Sequence, residues 1–130
     1  MSIYLLDTSV IIDALNNKRK RGELLTELAL QGHLLACCSV NVTEVYAGVR
    51  EDEESRTAEL LESLQFYPVT FPIARLAGFL KRDYGRKGIT LAIGDVTVAA
   101  VALHHHLTLI ADNVKHYPMK ELSLYPLPGA

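Results

Sequence analysis

The chain has no tryptophan and only two cysteines, which stand side by side as Cys37 and Cys38. Adjacent cysteines rarely bridge each other, and two residues make no disulfide framework. Neither CxxC spacing nor a nearby histidine accompanies them, so they offer no zinc site. They read as small buried strand residues. Without structural disulfides the expected compartment is reducing, most simply the cytoplasm. Long hydrophobic runs are also missing. No stretch approaches the ~20 residues of a membrane span, and the first residues, Met1 to Asp7, lack the basic segment and apolar core of a signal peptide. Neither sign of charge dominates: Lys plus Arg is 13 against 15 for Asp plus Glu, a net charge of −2. Binding to nucleic acid must therefore come from local patches rather than from the overall field. Repeats, low-complexity segments and linkers are absent. What remains is an ordinary globular mixture, 49% hydrophobic and 22% charged in 130 residues. The expectation is one domain, 1–130, able to bury a core without staples.

The apolar pattern alternates between short runs and helical spacing. Ile3-Tyr4-Leu5-Leu6 is short, without polar alternation, and ends at Asp7. That is how a strand buried on both faces of a parallel sheet reads. Thr8 or Ser9 can then cap a helix through Val10 to Leu15. After a polar, basic break, Leu24, Leu25 and Leu28 mark a second helix, stopped at Gly32. Leu34 to Ser39 is a second strand. Val42, Val45, Tyr46 and Val49 have the i, i+3, i+4, i+7 spacing of a third helix. Ala58, Leu61, Leu64 and Gln65 mark a fourth, and Tyr67-Pro68-Val69 is at best an edge strand. Pro72 suits the first turn of a fifth helix, whose core face is Ile73, Leu76, Ala77, Leu80 and Tyr84. Val96 to His105 is a sixth helix, apolar nearly all round. Thr108 to Ala111 and Leu122 to Tyr125 complete the strands. Strands alternating with helices predict an α/β fold: a central, mostly parallel sheet of four to five short strands flanked by helices in three layers. In such sheets chemistry sits at the carboxyl ends of the strands.

Three acids keep apolar company, and of these Asp7, like the segment after Ala111, falls at a strand end. Asp7 follows the first strand, Glu44 lies in Val42-Thr43-Glu44-Val45-Tyr46, and Asp95 opens the apolar sixth helix. Singly, Asp7 and Asp95 could serve as helix caps and Glu44 could face solvent. Together they would repel one another and raise their own pKa values, a conflict that a hard divalent cation removes. Mg²⁺ or Mn²⁺ prefers oxygen ligands, and two such ions ~4 Å apart can clamp both oxygens of a phosphodiester displacement.

Four segments in order complete the pattern: Leu5-Leu6-Asp7-Thr8-Ser9, Val42-Thr43-Glu44-Val45-Tyr46-Ala47-Gly48, Gly94-Asp95 with Val98-Ala99-Ala100, and Ile110-Ala111-Asp112-Asn113-Val114-Lys115-His116-Tyr117. This series resembles the PIN-domain nucleases, most closely the VapC toxins of toxin–antitoxin pairs, over about the whole chain. The resemblance implies a PIN-like fold and a Mg²⁺- or Mn²⁺-dependent ribonuclease. It implies that Asp7, Glu44 and Asp95 are the catalytic, metal-binding acids, with Ser9, beside Thr8, helping to orient the first. It further implies an RNA substrate, a small antitoxin partner and a homodimer. The fourth acidic position stays open between Asp112 and Asn113, because the usual Thr-x-Asp or Thr-x-Asn reads Ala111-Asp112-Asn113 here. The family's frequent glycine after the sixth helix is replaced within His104-His105-His106, which puts His106 in a left-handed cap. Consecutive histidines do not face one another on a helix, so the run reads as charge at a helix carboxyl end.

Two basic patches could hold RNA. Lys18-Arg19-Lys20-Arg21 is a run in the first break. Arg75, Arg82 and Arg86 lie within roughly 40° of each other on the fifth helix, with Phe79 between them. His116, near the presumed acids, could contact phosphate. The acidic run Glu51 to Glu54 would repel RNA unless a basic partner meets it. The competing functions are a PIN-like binding module without catalysis and an RNA-maturation nuclease outside a toxin pair. An aspartate-nucleophile phosphatase is disfavoured, because Ser9 stands where its second Asp is needed.

Overall fold

The computed structural model describes residues 1–127. Its elements run β1 (Ile3–Leu6), α1 (Thr8–Leu15), α2 (Arg21–Leu30), β2 (Leu34–Cys38), α3 (Ser39–Ala47), α4 (Glu54–Ser63), β3 (Gln65–Tyr67), α5 (Phe71–Arg86), α6 (Ile93–His105), β4 (Thr108–Ile110) and β5 (Ser123–Tyr125). All pairings are parallel, in the order β3-β2-β1-β4-β5. The chain builds outward from β1 through β2 to β3, then starts again on the other side with β4. The order therefore reverses between β1 and β4, which is where open α/β sheets bind ligands.

The short apolar strands feed two cores by simple alternation. Leu5, Ala36, Cys38 and Leu109 pack with α5 and α6, around Ile73, Ala77 and the small residues Val98 to Ala102. Leu6, Cys37 and Ile110 pack the opposite way, with Val10, Ile11, Leu25, Leu28, Val45 and Leu61 from α1 to α4. The result is the expected three-layer arrangement, and neighbouring Cys37 and Cys38 lie on opposite faces of one sheet. Both are free thiols. Burial, with Cys38 beside it, pushes the Cys37 thiol up to about 11, so it stays protonated and unreactive. Among the described residues no helix is long and apolar enough to cross a membrane.

Several boundaries differ from the sequence expectation. Neither Thr8 nor Ser9 caps α1. Asp7 occupies the cap position, but its side chain makes no cap hydrogen bond. Gln65 leaves the fourth helix and begins β3, which lies two residues earlier than expected. There Gln65, Phe66 and Tyr67 pair with Ala36, Cys37 and Cys38, and Pro68, lacking an N–H, ends the ladder. The sixth helix starts at Ile93, so Asp95 is its third residue rather than its first. His106 does adopt the left-handed cap, at φ 56°. His105 stacks on Tyr67, and burial together with its two imidazole neighbours holds its pKa down.

The basic run after α1 does not form one surface. Asn17, Arg19 and Lys20 all have positive φ, and the turn they make brings the Arg21 side chain inward, where it is 4% exposed. Its guanidinium meets Asp112 Oδ1 at 2.5 Å. Arg19 reaches the same oxygen at 3.4 Å and Asp13 at 3.9 Å. The Arg21–Asp112 pair ties the start of α2 to the end of β4. Removing one partner strands a buried charge. Arg21→Ala is expected to lower unfolding stability by about 3–5 kcal/mol, measured by urea denaturation. A loss under 1 kcal/mol would mean that Asp112 finds water or Arg19 instead.

Candidate metal and catalytic site

Asp7 leaves β1 at the switch point, and its backbone N–H donates to Ile110 O of β4 at 2.9 Å. Freed from capping, the carboxylate accepts from two hydroxyls. Tyr117 donates to Oδ1 at 2.7 Å, and Ser9 donates to Oδ2 at 3.1 Å. Tyr117 is buried. Burial first, then the charge of Asp7, pushes its phenol far above the usual range, so it is a permanent donor. Tyr117 closes the fourth segment of the sequence pattern, but no role was assigned to it there. Nothing local signals that its hydroxyl will meet a strand end across 110 residues.

Glu44 is set by a chain of three bonds. Asn41 is fully buried at the start of α3. Its Oδ1 accepts from Cys38 N–H at 2.8 Å, which fixes the amide so that Nδ2 donates to Thr8 Oγ1 at 3.0 Å. With its lone pair occupied, the Thr8 hydroxyl directs its proton to Glu44 Oε1 at 2.6 Å. The other oxygen lies against the start of α6, where a Cβ at Gly94 would stand 3.1 Å from Glu44 Oε2. A glycine there lets the carboxylate approach the helix's positive end. Thr8 thus acts on Glu44 and Ser9 on Asp7, whereas Asn41 and Gly94 were not foreseen as part of the site. An Asn three residues before Glu44, just after a strand, was the available signal.

Asp95 completes the group from the first turn of α6. Its carboxyl is raised first by burial and then by Asp7 and Glu44, against the lowering effect of His116 and the Tyr117 hydroxyl. The three acids therefore feel one another's charge. His116 Nδ1 faces Asp95 Oδ2 at 3.4 Å. Its Nε2 lies 3.0 Å from Asn113 Nδ2, while Asn113 Oδ1 accepts from Lys115 N–H. The amide must then donate to Nε2, which leaves the neutral ring's proton on Nδ1, toward Asp95. Asn113 turns toward the acids through this histidine. Asp112 turns away, into its pair with Arg21. The two side chains of the open fourth position thus point to different neighbours.

Among the described residues, no three acidic, histidine or cysteine side chains are close enough to enclose a metal ion unaided. The candidate donors Asp7, Glu44 and Asp95 are all carboxylates, oxygen ligands that suit magnesium better than zinc. Mg²⁺ keeps several waters and takes one or two carboxylates with substrate phosphates, whereas structural zinc needs a closed set. The all-oxygen donors and the electrostatic strain recorded at Asp95 fit a hard divalent cation.

The remaining sequence candidates are exposed. Lys18 and Lys20 stand out from the turn before α2, and Arg75, Arg82 and Arg86 line α5. The acidic run meets basic residues of its own segment. Arg50 N–H donates to Glu53, whose carboxyl is lowered first by that bond, and Arg50 and Arg56 flank it.

A family model of the PIN domain matches residues 4–121. Ribonuclease VapC19 of Mycobacterium tuberculosis is 32% identical over 115 residues, covering 88% of this chain and 92% of that protein. Among solved structures, VapBC2 from Rickettsia felis, bound to a DNA fragment from its promoter, superposes with TM-score 0.82 at 23% identity, over 95% of this chain and 97% of that one. A toxin–antitoxin complex from Klebsiella pneumoniae gives 0.73 at 24%, over 92% and 94%. These two likenesses speak for the fold, and the family match spans every strand from β1 to β4 with the acids between them: the chain belongs to the PIN-domain family.

Proposed function

We propose that the chain is a divalent-metal-dependent endoribonuclease, the toxin of a VapBC-type toxin–antitoxin pair. The observation that carries this reading is the set of three carboxylates at the switch point, where burial and the charges of Asp7 and Glu44 raise Asp95. Its support from comparison is the 32% identity to a protein named as a ribonuclease. Bound at Asp7, Glu44 and Asp95, Mg²⁺ or Mn²⁺ would supply positive charge at a scissile phosphate and acidify water for in-line attack. The chain's own residues prepare that event. Tyr117 and Ser9 hold both oxygens of Asp7, Thr8 holds one oxygen of Glu44, and His116 stands over Asp95 with its outer nitrogen tied to Asn113. Rotamers locked in this way need little reorganisation when charge develops. The solved toxin–antitoxin complexes support an antitoxin partner, and the family resemblance implies the rest of the reading: that the antitoxin covers the acids, a homodimer, and action in the cytoplasm.

The test is cleavage of mixed single-stranded RNA oligonucleotides with Mg²⁺, with Mn²⁺ or with EDTA, comparing wild type with Asp95→Asn. Metal-dependent cutting that disappears in the variant is expected. Folded wild type, free of copurified partner, that cuts under no metal would move the reading to a binding module.

The same variant has a stability signature. An acid whose folded pKa is raised loses stability as pH climbs from its ordinary value through the raised one, because only the unfolded chain ionises freely. Asp95→Asn lacks that loss. In EDTA at pH 7 its Tm should exceed that of wild type, and the gap should close below the ordinary carboxylate range. An equal or lower Tm at pH 7 would mean that the repulsion is already relieved.

Tyr117 acts through Asp7 and is a positioning residue. Tyr117→Phe keeps the packing and removes one hydroxyl. It is expected to weaken Mn²⁺ binding about 10- to 100-fold, read by calorimetric titration, with an unchanged far-ultraviolet spectrum. Wild-type affinity would show that Ser9 alone orients Asp7.

A further inference from the structure

One face of α5 carries Phe71, Arg75, Phe79, Arg82 and Arg86. At about 100° per residue these five fall within about 80° of arc, an alternation of ring and guanidinium along the helix. Phe71 is 77% and Phe79 46% exposed, against a general habit of burying such rings. The two rings are not idle surface residues, because each is engaged by an arginine of the same face. The Arg82 guanidinium lies 4.6 Å from the Phe79 ring centroid, and that of Arg75 lies 5.9 Å from Phe71. The opposite face, Ile73 and Ala77, packs into the core, so the helix cannot turn the stripe inward.

Both ends of α5 are fastened near the carboxyl ends of the strands. Just before the helix, Val69 N–H donates to Ser39 Oγ at the end of β2, at 3.0 Å. Near its other end, the Tyr84 hydroxyl donates to Pro118 O at 3.3 Å, one residue beyond the Tyr117 that holds Asp7. Between them, Lys81 Nζ donates to Leu91 O at 2.5 Å, four residues before Asp95. Arg82 and Arg86 lie on the last turns of the helix, on either side of Tyr84 in the sequence. The one acid beside the stripe, Asp83, is paired with Arg82 at 2.9 Å, which holds its carboxyl low.

We infer that this stripe is a single-stranded RNA platform, on which unpaired bases stack against Phe71 and Phe79 while Arg75, Arg82 and Arg86 take the phosphates, leading the strand to the acids. It rests on the nuclease reading for its substrate. The charge favours a polyanion, and the exposed rings favour unpaired bases over a duplex, whose bases are already stacked. The basic run before α2 is the poorer track, since Arg21 is buried against Asp112 and Arg19 is drawn to Asp112 and Asp13.

The experiment measures binding of a fluorescein-labelled, mixed-sequence 12-nucleotide single-stranded RNA, and of the same length of duplex, in EDTA across a salt series. Phe79→Ala should weaken single-strand binding about 5- to 150-fold, the loss of one stacked base, and leave the salt dependence unchanged. Arg82→Ala should reduce the slope of log affinity against log salt by about 0.7, and Arg82→Lys should keep the slope. Single-strand binding indifferent to all three variants, equal affinity for duplex, or no wild-type binding would each overturn the platform. So would a change of solution mass in Phe79→Ala, because the stripe would then join two copies of the chain. Metal-dependent cleavage by wild type is scored separately. Cutting with stripe-independent binding sinks the platform alone, and stripe-dependent binding without cutting sinks the nuclease alone.

Discussion

Carboxylates gathered at one point of a sheet repel one another, and the architecture around β1 and β4 answers that repulsion. Asp7, Glu44 and Asp95 converge where the strand order reverses. Among the described residues no arginine or lysine forms an ion pair with them. The structure surrounds them with the hydroxyls of Tyr117, Ser9 and Thr8 and sets the His116 ring against Asp95. Hydroxyl donors fix direction and leave the carboxylate charge in place. Such a site is poor at stabilising the empty fold and well suited to a hard cation. Burial and its two acidic neighbours raise Asp95, the thermodynamic trace of that choice.

The same logic explains why Asp112 stands apart. It stands two residues past the end of β4 and could have joined the acids. The left-handed turn at Asn17, Arg19 and Lys20 instead brings Arg21 inside, and the guanidinium takes one oxygen of the carboxylate. A cation that close would compete with a metal for any shared acid, so the separation keeps two kinds of electrostatic work in two places. The segment that follows is then pinned at successive residues. Asp112 is held by α2, His116 lies against Asp95 of α6, Tyr117 binds the end of β1, and the Pro118 carbonyl accepts from α5. A short segment fastened to four elements can position a hydroxyl better than a free loop could.

Charge patterns that look alike in one dimension separate in three. Lys18 to Arg21 and the arginines of α5 are both basic stretches with acids nearby. In the first, a backbone turn of unusual sign buries the last arginine. In the second, a long straight helix keeps every third or fourth residue on the outside, and the rings that ride with them stay exposed. The acidic run Glu51 to Glu54 resolves locally as well, through Arg50 and Arg56.

By itself, the sequence determined the alternation of strands and helices, the three-layer parallel sheet, the inert cysteine pair and the three acids. All of these follow from local periodicity, from residue chemistry, or from motifs short enough to lie within one element and its turn. Tertiary structure alone decided who holds those acids. Tyr117, Asn41 and Gly94 reach them from places far apart in the chain, and a hydroxyl or an amide shows no preference for a partner until packing has removed its alternatives. The ends of β3 and α6 were fixed in the same way. Pairing with Ala36 drew Gln65 out of a helical pattern, and α6 begins two residues before Asp95. Spacing could not choose between Asp112 and Asn113, since adjacent residues after a strand point to opposite sides. Only the arrival of Arg21 on one side and His116 on the other sorted them.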